Sequence, residues 1–461
     1  MQKNLKRRQF RLLFVDVLLM YGTLFLAYYL RHGNLPVGPG LRDHVLSFTV
    51  IYAMWLIVFY TLGMYRLEMA TDNLAFIRRL AIALSIGGLL GALYFYLQPN
   101  DAINPKTLLA LVVVVYGLLF LGWRYFYGAI WRGKRQRIGV GFIGMTPETL
   151  AMAEALAARP NLGYDARFFF DEGAKVSGEG AKASGEDVPV IAYSPMIRHF
   201  VADTDADLLV IASDRELPHE LARVLFGLLE LRVRYIRLPD FYELILRRVP
   251  IGAINETWFL ENIDLKAKLS YEWFKRLTDV VMAALVFAVS LPLWPFIALA
   301  IKLESRGPIF FIQRRLGRFD KTFAMIKFRT MRTDGNDQSP TGIKDSRITK
   351  FGGFLRSSRL DEIPQVLNIL KGDMSFVGPR PERPEIAAKL AAAIPYYSQR
   401  HLVKPGITGW DQVSGEYHSP SIEDTNKKLQ YDLYYLKNMS PLLDLSIFFK
   451  TIMTVAMREG R

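Results

Sequence analysis

The N-terminal part of the chain contains four apolar runs, each near the length of about 20 residues that an α-helix needs to cross a bilayer. One charged residue, Asp16, interrupts them. It lies about one turn inside the first run, where its carboxylate can reach the membrane interface, so we expect a structural role for it. The runs comprise residues 12–30, 45–65, 80–97 and 108–123. They predict a four-helix transmembrane domain over residues 1–132.

The composition agrees with a membrane protein. Hydrophobic residues make up 51% of the 461 residues, and the mean hydropathy is +0.15. Lysine and arginine number 58 against 44 acids, a net charge of +14. Because long apolar runs accompany this excess, we attribute it to cytoplasmic loops and anionic lipid, and we expect no nucleic acid partner. The chain has no cysteine, which excludes disulfides, thiolate metal sites and cysteine nucleophiles.

The distribution of cations predicts the orientation of the four helices. Basic residues cluster before the first run, before the third and after the fourth, while the other two loops carry fewer. Since cytoplasmic loops are enriched in lysine and arginine, both ends of the bundle are expected in the cytoplasm. The segment that follows is then cytoplasmic as well.

Residues 133–240 alternate between strand and helix patterns, which predicts a doubly wound α/β domain. The candidate strands are residues 138–143, 166–170, 188–191, 208–212 and 233–236. Gly139, Gly141 and Gly144 spell a dinucleotide-binding pattern, but the first two fall inside the first strand, too early for a phosphate-binding turn. A helix capped by Thr146 fits better. Asp171 stands where a ribose-binding acid could lie. However, only one glycine is well placed, where a dinucleotide site needs three, and this disfavours an NAD site. Regulation, nucleotide sensing or oligomer contact is favoured instead.

A fifth apolar run, residues 280–301, is long enough to span a membrane, but both of its ends carry the basic residues that are typical of the cytoplasmic side. Lysine and arginine flank it on either side, and Pro292, preceded by Ser290, breaks a helix near its middle. These features favour a re-entrant hairpin over residues 276–303. A kinked spanning helix is the alternative.

The stretch 356–385 carries the strongest chemical signal. Apolar residues recur at helical spacing, and Pro364 is tolerated only in a first turn, which predicts a helix start near Asp361. Asp361 and Glu362 then lie at the N-terminal end, where ionised carboxylates and bound phosphates are both favoured. Arg380 stands between two prolines, which stiffen its backbone and aim its guanidinium. By itself, an acidic pair before a helix is most often a cap.

Four motifs in a fixed order change that interpretation. They are KFRTM at 327–331, DSRITKFGGFLR at 345–356, LDEIPQVLNILKGDMSFVGPRP at 360–381 and KPGITGWDQVSG at 404–415. With them the chain resembles the bacterial polyprenyl-phosphate sugar-1-phosphate transferases, the monotopic phosphoglycosyl transferases. The resemblance covers about residues 275–457, and the preceding part resembles the large form of that family.

The resemblance implies a membrane α plus α/β fold. Its parts are a transmembrane four-helix bundle (1–132), a Rossmann-like cytoplasmic domain (133–240), a linker (241–270) and a monotopic catalytic α/β core (271–461) with the re-entrant helix. It also implies a multi-pass protein of the bacterial inner membrane that forms a homodimer. The implied reaction transfers a hexose 1-phosphate from a UDP-sugar to undecaprenyl phosphate and releases UMP, as the first step of exopolysaccharide or O-antigen assembly.

The same resemblance implies roles for five residues. Asp361 would be the nucleophile that forms an aspartyl phosphosugar, and would also bind Mg²⁺. Glu362 would orient the site, bind metal or accept a proton. Lys327, Arg329 and Arg380 would bind the donor's phosphates; on a strand, Lys327 and Arg329 would point to one face. Trp410, in a glycine-rich loop, is expected at the membrane interface.

Three other functions stay open at this point: a membrane-bound nucleotide-sugar oxidoreductase, a non-catalytic assembly scaffold, and a phosphotransferase that works through its spanning helices. The sugar is also open. UDP-glucose or UDP-galactose is the expectation from the large form, followed by N-acetylated sugars.

Overall fold

The computed structural model describes most of the chain, in two compact units, Met1–Phe241 and Tyr242–Arg461. The described residues are 2–34, 39–65, 73–97, 106–132, 137–171, 181–183, 186–192, 200–201, 203–204, 206–212, 219–231, 233–332, 345, 347–414 and 421–457. The finer division into domains given above stays a prediction.

The first unit opens with four long helices that contain the predicted apolar runs. They are α1 (Gln2–His32), α2 (Pro39–Thr61), α3 (Asn73–Leu97) and α4 (Lys106–Arg132). The second run extends past the end of its helix, because residues 62–65 form a turn. Among the described residues, five helices are long and apolar enough to cross a membrane: these four and the helix of the fifth run. The number of actual crossings stays a prediction.

Aromatic side chains fill the centre of this helical region. Trp55 on α2 lies 5.6 Å from Tyr116 on α4, and Phe59 lies 5.4 Å from Phe120, measured between ring centroids. A Cβ at Gly87 on α3 would come within 2.6 Å of the Trp55 indole nitrogen. Glycine is therefore what allows α3 to approach this ring.

Asp16 has an ion-pair partner that the sequence did not predict. Its side chain is fully buried and accepts a 2.7 Å hydrogen bond from the Arg124 guanidinium on α4. Arg124 also lies over the Phe120 ring, 4.6 Å from its centroid. A buried carboxylate in an apolar bundle needs a counter-ion, so the structural role holds but its physical basis is an ion pair between helices.

The remainder of the first unit is an α/β domain with a parallel sheet. Its strands are β1 (Ile138–Ile143), β2 (Tyr164–Asp171), β3 (Ala181–Ala183), β4 (Glu186–Val188), β5 (Val190–Ala192), β6 (Ala206–Ile211) and β7 (Arg234–Arg237). Its described helices are α5 (Pro147–Ala158) and α6 (His219–Gly227), and the boundary between the units falls within the next helix, α7 (Leu238–Leu246). The sheet order is β5-β2-β1-β6-β7, and β3 and β4 form a separate antiparallel ribbon. This is the strand order of a Rossmann-type sheet.

The turn after β1 follows the predicted register. Thr146 caps α5 through a capping box with Thr149, and Pro147 begins the helix. Gly141 lies inside the strand, where a Cβ would come within 2.3 Å of the Phe168 ring. Its role is packing. Asp171 accepts a 3.2 Å hydrogen bond from the backbone N–H of Met145, so this acid supports the turn.

The second unit contains the predicted catalytic core. Its helices are α8 (Glu256–Asn262), α9 (Leu269–Ser290), α10 (Trp294–Glu304), α11 (Lys350–Ser357), α12 (Val366–Lys371), α13 (Pro384–Ala393), α14 (Ile422–Asn438) and α15 (Pro441–Met457), and its strands are β8 (Phe310–Leu316), β9 (Thr322–Phe328), β10 (Ser375–Val377) and β11 (Gly406–Thr408). β8 and β9 form an antiparallel hairpin, and β10 and β11 pair in parallel. Both units together fit the predicted membrane α plus α/β class.

The fifth apolar run forms α9 and α10, separated by a 3₁₀ turn over Leu291–Leu293. The Ser290 hydroxyl donates to the Phe287 carbonyl and accepts a hydrogen bond from the Trp294 indole. Ala283 on α9 is buried in a cluster with β9 and α12, while Ile297 on α10 is buried against the end of β9 and α11. Both helices therefore pack against β9, through two separate apolar clusters.

Trp410 does not lie at the surface of the second unit, as its predicted place at the membrane interface would require. Its side chain is 3% exposed, its indole N–H donates to the Arg247 carbonyl at 2.9 Å, and its ring stacks on Tyr434. The Lys450 ammonium lies 4.2 Å from the ring centroid. The ring belongs to the core of the second unit, because neighbouring segments satisfy its polar nitrogen and pack against the ring.

Candidate active site

Asp361 lies in a tight turn between two helices. Leu360–Gln365 is a 3₁₀ helix, and the α-helix α12 starts only at Val366. The predicted α-helical start near Asp361 is thus a 3₁₀ start. The turn is entered through Arg359 in a left-handed conformation (φ 55°), which costs a non-glycine residue about 1–3 kcal/mol. Because such strain persists only where surrounding contacts fix the backbone, the turn next to the candidate nucleophile is held in place by its neighbours.

Asn368 fixes this turn against the β8–β9 hairpin. Its side chain is 2% exposed. It accepts a hydrogen bond from the Ile326 N–H (3.1 Å) and donates one to the Ala324 carbonyl (2.7 Å). The amide thus occupies the edge of β9 as another strand would, and it sets the distance between α12 and Lys327.

Lys327 and Glu362 form the central ion pair of the site. The Lys327 ammonium lies 2.7 Å from a Glu362 carboxylate oxygen, and both side chains are largely buried. The Arg380 guanidinium lies 4.0 Å from the same oxygen and is half exposed. Two cations therefore converge on one carboxylate, an arrangement that leaves net positive charge for an anionic ligand.

The Pro-Arg-Pro turn that carries Arg380 is held by two other arginines. Arg315 donates to the Pro381 carbonyl at 3.0 Å, and Arg400 donates to the Arg380 carbonyl at 3.0 Å. Arg400 is itself buried in an ion pair with Asp432 (2.7 Å). The turn is therefore fixed from the core, while the half-exposed Arg380 side chain can meet a ligand.

The two adjacent acids differ in their electrostatics. Burial, with a smaller contribution from the charge of Glu362, raises the pKa of Asp361 to about 6, against the opposing effect of Lys327 and Arg356. Burial also acts to raise the pKa of Glu362, but Lys327 and Arg380 outweigh it, and the pKa falls below its ordinary value. Nearby cations thus strongly stabilise the ionised form of Glu362, and they stabilise that of Asp361 only weakly.

The cations and Glu362 surround a small cavity of about 20 Å³, room for about one water molecule. Its walls come from β8, β9, the 3₁₀ turn, the Pro-Arg-Pro turn and β11, through Arg315, Met325, Lys327, Glu362, Gln365, Arg380, Pro381, Gly406 and Ile407. Asp361 lies beside this lining and is not part of it. A sugar nucleotide fits only if the surrounding side chains move apart.

Gln365 is a site residue that sequence reasoning missed. Its side chain is 2% exposed and lines the cavity. It follows Pro364 in the same motif as Asp361, and this position in the motif is the one feature of the sequence that could have indicated a role in the site. Arg315 was also missed, because nothing in the β8 sequence separates it from its neighbour Arg314.

Arg329 does not join Lys327 as predicted. β9 ends at Phe328, so the alternation of faces stops before Arg329. Its guanidinium is buried and donates to the Ser305 carbonyl (2.7 Å), the Ser305 hydroxyl (3.0 Å) and the Arg306 carbonyl (3.0 Å). The structure places it at the C-terminal end of α10, where it holds the chain that leaves the apolar hairpin.

The acids present define what metal the site could hold. Within the described part of the chain, no group of three or more histidines and acids is placed to bind an ion. Mg²⁺ commonly uses one or two carboxylates and takes its other ligands from water and substrate phosphates. Asp361, a buried carboxylate with only partial cationic compensation, fits that requirement; Glu362 is already paired with Lys327.

Comparison with known proteins identifies the class. Residues 270–458 match the family described as bacterial sugar transferase. A Klebsiella pneumoniae UDP-glucose:undecaprenyl-phosphate glucose-1-phosphate transferase is 31% identical over 332 residues, 71% of this chain and 69% of the relative. The chain belongs to this family, and the predicted resemblance to polyprenyl-phosphate sugar-1-phosphate transferases is confirmed.

Two further relatives carry different sugars in their names. An Aeromonas hydrophila UDP-N-acetylgalactosamine-undecaprenyl-phosphate N-acetylgalactosaminephosphotransferase is 36% identical over 244 residues (52% of this chain, 57% of the relative). The Escherichia coli K12 UDP-glucose:undecaprenyl-phosphate glucose-1-phosphate transferase is 41% identical over 241 residues (52% and 50%). These matches span only about half the length of each relative.

Proposed function

We propose that this protein transfers a hexose 1-phosphate from a UDP-sugar to undecaprenyl phosphate at the cytoplasmic face of the bacterial inner membrane, as the first step of surface polysaccharide assembly. The observation that carries the proposal is the buried Asp361 carboxylate next to the Lys327–Glu362–Arg380 cluster. A nucleophile and a phosphate-binding pair lie side by side in a family whose relatives are named for this reaction.

The first step is attack by a carboxylate oxygen of Asp361 on the β-phosphorus of the donor. A bond forms between that oxygen and phosphorus, and the bond between the β-phosphorus and the bridging oxygen breaks. UMP leaves with the electron pair. Lys327 and Arg380 stabilise the charge on the transferred phosphate and the leaving group. Glu362 holds Lys327 in place through its 2.7 Å ion pair.

In the second step an oxygen of undecaprenyl phosphate attacks the same phosphorus, and Asp361 is released as a carboxylate. The lipid phosphate attacks as its dianion, so this step needs no base, and Glu362, whose pKa Lys327 and Arg380 hold below its ordinary value, stays in its ion pair. Mg²⁺, held through Asp361, would neutralise part of the diphosphate charge.

The membrane position of the site follows from α9 and α10, which we propose form a re-entrant hairpin. Arg276 on α9 donates to the carbonyls of Ile369 and Leu370 at the end of α12, and Asp279 accepts from the Phe376 N–H. The outward faces carry exposed apolar side chains such as Leu285 and Phe296. The hairpin that enters the lipid is thus bonded directly to the segment that carries Asp361.

Because the chain has no cysteine, topology can be tested with one introduced thiol. Lys389→Cys, at an exposed position on α13, is expected to resist a membrane-impermeant maleimide in intact spheroplasts and to react after lysis. Labelling in intact spheroplasts would place the core outside and replace the hairpin with a spanning helix.

The mechanism is tested by nucleotide release without acceptor. Purified protein given a UDP-sugar and Mg²⁺, but no lipid acceptor, is expected to release about one UMP per active site in a burst, and Asp361→Asn to release none. UMP that appears only when both substrates are present would establish a single displacement instead. A parallel series of UDP-glucose, UDP-galactose and N-acetylated donors would identify the sugar.

A further inference from the structure

A second cavity, separate from the Lys327–Glu362 site, opens at the N-terminal end of α9. Its volume is about 300 Å³, the lower end of the range typical for ligand pockets. Its lining shares no residue with that of the smaller cavity. Two apolar residues at its edge, Leu269 and Trp273, are 63% and 72% exposed.

Four cations line this cavity, and three of them are already engaged. Lys275 lies 2.7 Å from Asp444, and Arg318 forms a two-pronged pair with Glu272 at 2.8 and 2.9 Å. Arg276 donates both outer nitrogens to carbonyls of α12. The two lining acids are committed as well, since Glu272 binds Arg318 and Asp279 accepts from a backbone N–H.

Lys404 is the exception. Within the described residues, its ammonium makes no hydrogen bond and no ion pair, although the side chain is half-buried. A Cβ at Gly372 would lie 3.8 Å from the Lys404 nitrogen and 3.5 Å from an Arg276 nitrogen, so both cations reach the same point. Burial, together with Arg276 and Arg318, lowers the pKa of Lys404. An anion placed here would satisfy the ammonium and relieve the repulsion between these cations.

The geometry points to a binding site for the phosphate group of an anionic phospholipid, held by Lys404, with the positive charge of Arg276 close by. Three observations select a lipid. The cavity lies at the start of a helix apolar enough to enter a membrane; exposed Trp273 and Leu269 at its edge suit the interfacial region; and the cation cluster suits an anionic leaflet. Since none of its lining belongs to the site beside Asp361, this lipid is distinct from the reacting acceptor.

The test measures lipid retention, which does not depend on turnover. The full-length protein in neutral detergent is titrated with phosphatidylglycerol, and bound lipid is counted by native mass spectrometry. We expect one saturable site per chain, about tenfold weaker in Lys404→Gln and restored in Lys404→Arg. Lys389→Gln removes the same charge from an exposed position on α13 and is expected to bind like the wild type.

Three competition arms identify the source of the phosphate. Phosphatidylcholine and inorganic phosphate are expected to displace phosphatidylglycerol poorly, because one is neutral overall and the other lacks acyl chains. Undecaprenyl phosphate is expected to leave the site occupied. The inference is overturned if Lys404→Gln, with an unchanged melting temperature, retains the lipid, or if any competitor displaces it at equal concentration. If Lys404→Gln does not fold, the displacement experiments on the wild-type protein decide whether the inference stands.

Discussion

At the residue scale, Asp361 and Glu362 are neighbours in the chain but not equivalent in their chemistry. Glu362 is committed to Lys327, with Arg380 close by, and this holds its pKa down. Asp361 lies beside that cluster but, among the described residues, has no such ion pair, and burial raises its pKa to about 6. The structure thus supports different roles for two acids that the sequence presents as a pair.

A pH dependence follows from the raised pKa of Asp361. Nucleophilic attack needs the ionised carboxylate, so below pH 6 the donor-dependent kcat/KM is expected to fall by about tenfold per pH unit. Glu362→Gln removes a negative charge that raises this pKa, so the acidic limb should move to lower pH even though maximal activity is reduced. If the acidic limb of the kcat/KM profile stays at the same pH in Glu362→Gln, then ionisation of Asp361 does not control that limb.

The different surroundings of Arg329 and Arg380 give a second prediction. Arg329→Ala leaves buried carbonyl groups without their donor and is expected to destabilise the protein by about 3 kcal/mol. Arg380→Ala, at a half-exposed position, should change stability by less than about 0.5 kcal/mol. Arg380→Ala should instead raise the donor KM by about tenfold.

Thermal unfolding and donor kinetics on the two arginine variants separate these effects. A stable Arg329→Ala protein with a greatly raised donor KM would return Arg329 to the phosphate-binding role that its motif position implies.

At the element scale, the site depends on how a 3₁₀ turn, a hairpin and a proline-flanked loop are held together. The sequence predicted a helix start at the acidic pair, the strand that carries Lys327 and the stiff loop at Arg380, because proline placement and alternation are local signals. It did not predict that this start is a 3₁₀ turn. It could not predict that β9 ends at Phe328, or that Trp410 is buried against Tyr434. Both depend on partners distant in sequence, as does the pairing of Asp16 with Arg124.

Asn368 gives the prediction at this scale. Asn368→Ala leaves the Ile326 N–H and the Ala324 carbonyl without partners, which should cost about 2–4 kcal/mol and lower kcat as the turn loosens. Asn262→Ala removes one bond to the carbonyl of Trp258 within its own helix and is the matched control, expected to cost less than about 1 kcal/mol. Equal stability and kcat in both variants would show that the side-chain link does not position the site.

At the scale of the whole molecule, every site residue discussed lies in the second unit, Tyr242–Arg461, and the family match falls within it. The α/β domain of the first unit retains a Rossmann-type strand order, but its glycine and acid positions serve packing and turn formation. The sequence predicted a doubly wound α/β domain from alternating strand and helix patterns, since parallel sheets are buried and strongly apolar, but it did not predict the strand order.

This organisation predicts that the second unit suffices for the chemistry. A fragment that begins at Tyr242, purified in detergent, should release UMP from a UDP-sugar with a kcat within about tenfold of the full chain. Its Asp361→Asn form serves as the blank. A folded fragment without activity would show that the first unit contributes to the reaction itself.

The most direct measurement is the intact mass of the full chain after incubation with UDP-sugar and Mg²⁺, without lipid acceptor, followed by peptide mapping. The account predicts a hexose-phosphate adduct on the peptide that contains Asp361, lost when undecaprenyl phosphate is added and absent in Asp361→Asn. Unmodified protein under conditions of rapid turnover, or an adduct on another residue, would contradict it.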